Sequence, residues 1–175
     1  MARTAWHVGL IADTHGLLRP EAVAALRGSD YLIHAGDIGD PQILHALAEI
    51  APVVAVRGNN DQGPWAEALP PSAALRVGDL RLYVIHDLAD LDLDPAPCGY
   101  AAVISGHSHR PRCERRDGVL FVNPGSAGPR RFHLPVTVGQ LLVAKSGLTA
   151  RLIELRLPTT AAHHRTRPLQ RSGAP

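Results

Sequence analysis

Short apolar runs alternate with amphipathic segments through the first third of the chain. Residues 6–12, 31–35 and 53–56 are apolar, and each run ends at polar residues, as buried strands do at the edge of a sheet. Between them, residues 20–26 and 41–50 both begin with proline and carry apolar residues at helical spacing, which predicts two helices. The order strand, helix, strand, helix, strand predicts a parallel sheet whose strand-end loops gather at one edge.

Turn signals come closer together in the second half of the chain. Gly78-Asp79 and Ser146-Gly147 each separate two apolar runs, and Gly118 marks a further reversal, so we expect hairpins at these points. Antiparallel pairing is therefore expected to replace parallel pairing in this half. The main strands that these signals predict cover residues 73–77, 80–85, 102–105, 136–144 and 148–155.

Composition indicates one α/β domain. Of the 175 residues, 45% are apolar but only 4% are aromatic, so the core must be built from Ala, Val, Leu and Ile, the residues of packed helices and buried strands. A chain of roughly 150 residues buries about 70% of its unfolded surface, which is enough for one core. After Pro158 the chain consists mostly of Thr, Ala, His, Arg and Pro. We therefore predict a domain over residues 1–157 and a disordered basic tail over residues 158–175.

The charge distribution disfavours nucleic acid as a partner. The net charge of +2 depends on four arginines that follow Glu154, so the body of the chain is acidic. A folded protein that reads duplex DNA normally carries clustered Lys and Arg on the domain itself. The two cysteines make no disulfide framework, and the apolar run near the N-terminus is too short for a signal peptide or a membrane span. We expect a cytoplasmic protein with no membrane partner.

Polar side chains that can bind metal ions follow the predicted strands. Carboxylate, imidazole and amide oxygen together suit Mn, Fe, Zn or Ni better than Ca. Seven such ligands exceed what one ion accepts while it keeps a position for water, but two ions about 3.5–4 Å apart can share a bridging carboxylate, for which Asp37 is the natural choice. The candidate ligands are Asp13, His15, Asp37, Asn59, His86, His107 and His109.

Turn formation does not account for these residues. Asp, Asn and Gly after strands commonly form turns and helix caps, but turn chemistry gives no reason for histidine at four strand ends. In Asp13-x-His15 and in His107-x-His109 the two side chains are two residues apart, so at an extended strand end both would point the same way. The spacing predicts that each pair faces one cluster.

The order of these motifs resembles that of a known family. Asp-x-His, Gly-Asp, Gly-Asn-x-Asp, a single His and Gly-His-x-His follow one another as in the calcineurin-like metallophosphoesterase superfamily, and Asn-Pro-Gly-Ser near the end of a short chain resembles its compact, single-domain YfcE-like phosphodiesterase branch. The resemblance runs from residue 6 to about residue 156. It implies an α/β fold, a four-layer α/β/β/α sandwich of two mixed β-sheets flanked by helices. It also implies two metal positions, one held by Asp13, His15, Asp37 and His109 and the other by Asp37, Asn59, His86 and His107.

The expected chemistry follows from charge. Two divalent ions beside two carboxylates leave a positive site that attracts phosphate, and water bound to such ions loses a proton near neutral pH. We therefore expect a two-metal phosphoesterase that cleaves phosphodiester bonds of a small substrate, with a metal-bridging hydroxide as the nucleophile. Asp37 would hold that water, with Asn59 and His86 contributing. Mn is the expected metal, and Ni, Zn, Fe and Mg stay open.

Two positions depart from the pattern of the superfamily. Its protein phosphatases place a His directly after the motif Asn to protonate the leaving oxygen, whereas this chain has Asn60, which cannot act as a general acid at neutral pH. Activated or aryl phosphodiesters should therefore be better substrates than phosphoserine. Asp87 follows His86 where Gly is usual, and it either orients His86 or lies in solvent.

Several other polar residues have two interpretations each. Arg57 and Asn60 are candidate contacts for the substrate, and Arg130 and Arg131 could also bind phosphate because a guanidinium group matches phosphate oxygens bidentately. The segment Asn-Pro-Gly-Ser at residues 123–126 forms either a plain turn or a support for the metal loops.

Two other functions are to be weighed against hydrolysis of a small ester. The retromer scaffold subunit resembles this same branch but binds proteins and has a degraded metal site, whereas every ligand position is retained here. Other members of the superfamily cut nucleic acid, but the acidic body and the lack of a basic or aromatic groove pattern disfavour a nuclease. We expect a small phosphate ester as substrate, and a homodimer stays open.

Overall fold

Two five-stranded sheets stack face to face in the computed structural model, which describes residues 5–158. The tail predicted over residues 158–175 lies outside the described residues from residue 159 onward, so its disorder stays a prediction. Within the described range, no helix has the length and apolar character needed to cross a membrane. The strands and helices are β1 (Ala5–Ile11), α1 (Pro20–Leu26), β2 (Tyr31–His34), α2 (Pro41–Ala48), β3 (Val53–Ala55), α3 (Pro64–Glu67), β4 (Ser72–Val77), β5 (Leu80–Ile85), β6 (Ala102–Ile104), β7 (Arg112–Arg116), β8 (Val119–Asn123), β9 (Thr137–Ala144) and β10 (Gly147–Glu154).

The first sheet has the order β10-β9-β1-β2-β3. Its strands β1, β2 and β3 are parallel, as the alternation of strands and helices predicted, and β9 pairs antiparallel with both β1 and β10. Both connecting helices begin with the predicted proline, and Asp40 caps α2 by accepting a hydrogen bond from Gln42 N at 2.8 Å. α2 ends at Ala48, two residues before the predicted end.

The second sheet has the order β4-β5-β6-β8-β7. The β4–β5 and β7–β8 pairs are antiparallel hairpins, as the turn signals predicted. The expectation of antiparallel pairing is wrong for β6, which runs parallel to both β5 and β8. The reason lies in the two connections. Residues 86–101 carry the chain back before β6 starts, and β7 carries it back before β8 starts. The strands β5, β6 and β8 therefore all run in one direction.

Aliphatic side chains fill the space between the two sheets. The helices α1 and α2 pack on the outer face of the first sheet, whereas a 3-10 helix at Leu88–Asp90 and the loop that follows it cover the outer face of the second. The predicted α/β sandwich of two mixed sheets is confirmed, with a thin fourth layer. Fully buried members of the core between the sheets include Leu10, Ile33, Leu82, Ile104 and Leu141.

Shortening Leu10 tests the core between the sheets. Leu10→Ala truncates a fully buried side chain on β1, and we expect the free energy of unfolding to fall by about 3 kcal/mol, because lost apolar burial and the remaining cavity both destabilise the fold. Leu142→Ala on β9 is the matched control, since Leu142 is 37% exposed, and it should cost less than about 1 kcal/mol. Urea denaturation measures both values, and equal losses would contradict this core.

Candidate metal centre

The loops after β1, β2 and β3 of the first sheet meet the loops after β5 and β6 of the second sheet at one end of the sandwich. Polar side chains from all five loops contact one another there. The structure thereby brings together all seven ligands predicted from the sequence, which are Asp13, His15, Asp37, Asn59, His86, His107 and His109.

One group of possible ligands lies around His15, and its residues come from loops of both sheets. The Nε2 atoms of His15 and His109 are 3.2 Å apart, and His109 Nε2 lies 3.5 Å from Asp13 Oδ1. One nitrogen or oxygen atom from each of these three residues lies within 4.8 Å of the others. The three side chains can therefore share one cation.

A second group lies around Asp37 and His86. His86 Nε2 is 3.5 Å from Asp37 Oδ1, and Asp13 completes a set whose ligand atoms are again within 4.8 Å of one another. Asn59 Oδ1 extends this group, since it lies 3.0 Å from His86 Nε2 and 2.9 Å from His107 Nδ1. Asp37 adjoins the first group as well, because Asp37 Oδ2 is 3.8 Å from His15 Nε2. Both aspartates thus lie between the two groups.

The backbone at the candidate ligands is left-handed, which corrects the expected extended geometry. Of the seven non-glycine residues with positive φ in the described range, five are candidate ligands, with φ between 45° and 64°. Each such conformation is strained by about 1–3 kcal/mol and persists only where the surroundings hold it. Side chains two residues apart therefore face one cluster through tight turns and not through the strand pleat. The five residues are Asp13, His15, Asp37, His107 and His109.

Asn60, which the sequence marked as a substrate contact, hydrogen-bonds to Asp37. Its backbone N donates to Asp37 Oδ1 at 2.8 Å, and its side-chain Nδ2 donates to Oδ2 at 2.6 Å. Asp61 fixes the same loop by accepting hydrogen bonds from Gly58 N and Gly39 N, both at 2.8 Å. A Cβ atom at Gly58 would overlap the backbone of Asp37, so the two loops fit together only with glycine there. The role of Asp61 was missed, although it ends the Gly-Asn-x-Asp motif.

Residues 123–126 form a turn and also support the metal loops, so both interpretations from the sequence hold. Gly125 N donates to Asn123 Oδ1 at 2.8 Å within the turn. Asn123 Nδ2 donates outward to Gly106 O at 2.5 Å, next to His107, and Ser126 Oγ donates to Asp13 O at 2.8 Å. This turn therefore connects the loops of the two sheets.

A buried histidine outside the predicted ligand set also supports the centre. Thr14 Oγ1 donates to Ile38 O at 2.9 Å and lies 2.9 Å from His34 Nε2, which therefore donates to it. His34 Nδ1 has no hydrogen-bond partner among the described residues. Complete burial lowers the pKa of His34 to about 3, so the ring is neutral and holds the Asp13–His15 turn as a hydrogen-bond donor. No sequence signal distinguished His34 from an ordinary core residue.

Asp87 contacts His107, which differs from both expectations for it. Asp87 Oδ2 lies 3.4 Å from His107 Nε2, and Oδ1 accepts a hydrogen bond from Ala89 N at the start of the 3-10 helix. His86 is oriented instead by the backbone, because its Nδ1 donates to Ala35 O at 2.7 Å. That hydrogen bond leaves the lone pair of a neutral His86 Nε2 facing the centre.

Arginines lie on two sides of the centre. Arg57 lines a cavity of about 400 Å³ together with Asn59, His86 and His107. On the opposite side, Arg131 Nη2 lies 3.4 Å from His15 Nε2, while Arg130 is exposed with no contact to a candidate ligand among the described residues. Of these two neighbouring arginines, Arg131 therefore contacts a candidate ligand and Arg130 does not.

Burial shifts the pKa values of the three residues in the group around His15. Asp13 is fully buried, and this burial raises its pKa to about 7. Burial also lowers the pKa of His109 to about 4, with the charge of Arg131 adding to the effect, and lowers the pKa of His15. At neutral pH the two imidazoles are therefore uncharged and offer lone pairs, as metal ligands must.

In the second group, the hydrogen bond between Asp37 and His86 favours the charged forms of both side chains. Burial alone would raise the pKa of Asp37, but hydrogen bonds from His86 and Asn60 outweigh it and hold this pKa below the usual range. Burial alone would lower the pKa of His86, yet its hydrogen bonds with Asp37 and the Ala35 carbonyl raise it. In the absence of a metal, a proton on His86 compensates the charge of Asp37.

The donor set fits divalent metal ions. Asp13 Oδ2 is buried without a hydrogen-bond partner among residues 5–158, and the acceptor atoms of Asn59, Asp37 and His86 converge at 3.0–3.5 Å. Such groups are unfavourable in a protein interior unless positive charge lies between them. Imidazole with carboxylate and amide oxygen is the combination that Mn, Fe, Zn and Ni accept.

Comparisons with known proteins point to one family. The family model for the calcineurin-like phosphoesterase superfamily domain matches residues 7–146. A probable metallophosphoesterase of Methanocaldococcus jannaschii is 34% identical over 161 residues, 85% of this chain and 81% of that protein. A phosphodiesterase of the same organism is 26% identical over 153 residues, 77% of this chain and 91% of its own. The structure of vacuolar protein sorting 29 from Cryptosporidium parvum has a TM-score of 0.74 at 20% identity, covering 88% of this chain and 93% of that one.

The family match extends from β1 to the end of β9 and includes every candidate ligand. It covers far more than half of the chain, and the relative from Methanocaldococcus jannaschii is similar over most of its own length. The chain belongs to the calcineurin-like phosphoesterase superfamily.

Proposed function

We propose that this protein is a two-metal phosphodiesterase that hydrolyses a small phosphate ester. The observation that carries the proposal is the pair of ligand groups that share Asp13, with Asp37 adjoining both. One ion with four to six ligands would leave part of this set unused, whereas two ions about 3.5–4 Å apart would use all of it. Mn is the proposed metal, and Ni, Zn, Fe and Mg suit the same ligands.

Two bound divalent ions would supply Lewis acidity, lowering the pKa of a water nucleophile and stabilising charge on phosphate oxygens. The residues of the chain supply position and charge. Asn60 fixes both oxygens of Asp37, and the Ala35 carbonyl fixes the His86 ring, so neither ligand has to reorient when the substrate binds. The strained turns at Asp13 and His107 hold ligands from different sheets against each other.

The position of Asn60 supports diesters as substrates. An amide cannot protonate a leaving alkoxide, and here Asn60 Nδ2 is already hydrogen-bonded to Asp37 Oδ2 at 2.6 Å. Good leaving groups, such as the aryl oxygen of an activated diester, need no such proton. The relative named as a phosphodiesterase supports the same substrate class. A cavity of about 400 Å³ beside the centre accommodates a small ester arm and favours a small molecule over nucleic acid.

A protein-binding scaffold is the second candidate, because the fold matches vacuolar protein sorting 29. At 20% identity this likeness concerns the fold alone. The complete ligand set and the perturbed pKa values of Asp13 and His109 favour catalysis instead, since such shifts concentrate at chemical sites. Elemental analysis of the purified protein, together with hydrolysis of a chromogenic diester before and after chelation, separates the two candidates.

Asp37→Asn should abolish metal-dependent hydrolysis. The substitution keeps the shape of the side chain but removes the charge that adjoins both ligand groups, so we expect kcat/KM for bis-p-nitrophenyl phosphate to fall more than ~100-fold. Asp40→Asn is the matched control in the same loop, because Asn also caps helices, and its activity should stay within about two-fold of the wild type. Metal content is measured in parallel. An Asp37→Asn protein with full activity would exclude this centre.

Metal binding should release protons, and more of them at lower pH. In the metal-free protein Asp13 has a pKa of about 7 and the pKa of His86 is raised, so both carry protons at pH 6 that a metal must displace. His109, with a pKa of about 4, is already neutral and releases none. We expect about one to two protons released at pH 6 and fewer at pH 8, with affinity rising between them. Calorimetry in buffers of different ionisation enthalpy measures this, and constant release would contradict it.

Bis-p-nitrophenyl phosphate should be hydrolysed faster than a phosphoserine peptide. Without a general acid at Asn60, we expect kcat/KM to favour the aryl diester by at least ~100-fold with Mn bound. Steady-state assays of both substrates with the same metal-loaded preparation provide the ratio. A preference for the phosphopeptide would show that another group protonates the leaving oxygen.

A further inference from the structure

The loop over residues 128–135, Gly-Pro-Arg-Arg-Phe-His-Leu-Pro, begins against the centre. A Cβ atom at Gly128 would overlap the carbonyl oxygen of Thr14, so the backbone here packs directly on the Asp13–His15 turn. Arg19, the residue before α1, donates from Nε to Gly128 O at 3.2 Å and secures this contact. The start of the loop is therefore fixed relative to the candidate ligands. The exposed residues of the loop come directly after this fixed start.

Arg131 directs its guanidinium group at this centre. Its Nη2 lies 3.4 Å from His15 Nε2, so the guanidinium group faces a candidate ligand atom. Within residues 5–158 no carboxylate forms an ion pair with Arg131. The cation thus faces the ligand groups without a carboxylate in ion-pair contact among the described residues.

A cation beside two divalent ions is unfavourable unless an anion lies between them. A phosphate group held by the metals would place its non-bridging oxygens there. Arginine suits this position because its planar fork donates two hydrogen bonds to phosphate, and the neighbouring Arg130 lacks the contact with His15. The electrostatics of the loop therefore match a bound phosphate anion.

Phe132, next in the chain, is strained and exposed. It is 88% exposed, far more than any other large apolar residue that the structure describes, and its φ of 53° is left-handed. The other phenylalanine, Phe121, packs against the core of the second sheet. An aromatic ring gains nothing for stability in such a position, and unfavourable backbone of this kind concentrates at ligand-binding sites. A planar group stacking on the ring would use it.

We propose that Arg131 and Phe132 form a substrate clamp, in which Arg131 binds the phosphate and Phe132 stacks on a planar aromatic arm of the ester. The substrate class is then a phosphodiester with an aryl or nucleobase arm. This inference rests on the proposed function, since it assigns a substrate to that same centre. Arg131 and Phe132 act by binding, so ligand affinity without turnover can test them.

The test measures binding of inorganic phosphate, methyl phosphate and phenyl phosphate to the Mn-loaded full chain by calorimetry. Arg131→Ala should weaken all three about 30-fold, Arg131→Lys should weaken them less, and the control Arg130→Ala should leave them within about two-fold. Phe132→Ala should weaken phenyl phosphate about tenfold and leave methyl phosphate unchanged, whereas Phe132→Trp should keep the preference for phenyl phosphate. Melting temperature should not change, because both side chains are exposed. Mn is supplied at saturating concentration for every variant, because Arg131 lies 3.4 Å from His15 Nε2 and its replacement changes the surroundings of a candidate ligand.

The inference is overturned if the wild type binds no phosphate, if Arg131→Ala binds phosphate as tightly as Arg130→Ala, or if Phe132→Ala affects methyl and phenyl phosphate equally. The proposed function fails separately. A wild type that shows the expected binding pattern but hydrolyses no diester would keep the clamp and exclude the diesterase. Diester hydrolysis without the binding pattern would keep the diesterase and exclude the clamp.

Discussion

The burial of the Asp13 carboxylate where the two sheets meet is the constraint on which the rest of the centre depends. A carboxylate removed from water is unfavourable unless donors or cations compensate it. His107 N donates to Oδ1 at 3.3 Å, but Oδ2 has no hydrogen-bond partner among the described residues, and the pKa of the group rises to about 7. The fold therefore holds an acid that positive charge would stabilise. Metal binding and folding favour each other in such an arrangement.

The turn at residues 123–126 holds loops of both sheets at the candidate centre. Ser126, between β8 and β9, donates to the carbonyl of Asp13 after β1, and Asn123 at the end of β8 supports the loop that carries His107. Left-handed turns at the ligands are unfavourable locally, so these contacts between distant segments are what maintain them. Displacing the sheets relative to each other would remove ligands from both groups at once, which ties the geometry of the centre to the core packing.

The sequence predicted the elements and the ligand types better than the geometry that joins them. Parallel β1, β2 and β3 followed from two proline-started helices, whereas the direction of β6 depends on a crossover without an α-helix and has no local signal. Histidine at strand ends is unusual enough to be recognised from sequence. The contacts of Asn60 with Asp37, of Asp87 with His107 and of His34 with Thr14 join segments that meet only after folding, so the pattern along the chain could not reveal them.

The same sandwich occurs in a vacuolar sorting protein, so the fold alone does not decide between catalysis and protein binding. The energetics of the centre bear on that choice. Replacing a buried, unpartnered acid by an apolar residue commonly stabilises a fold, and relieving left-handed turns does the same. A chain that used this end of the sandwich only as a docking surface would gain stability from both changes. Here Asp13 is fully buried, and five candidate ligands are in the left-handed conformation. Such unfavourable features are expected where a site must bind charge, and they favour the proposed catalytic function over a docking surface.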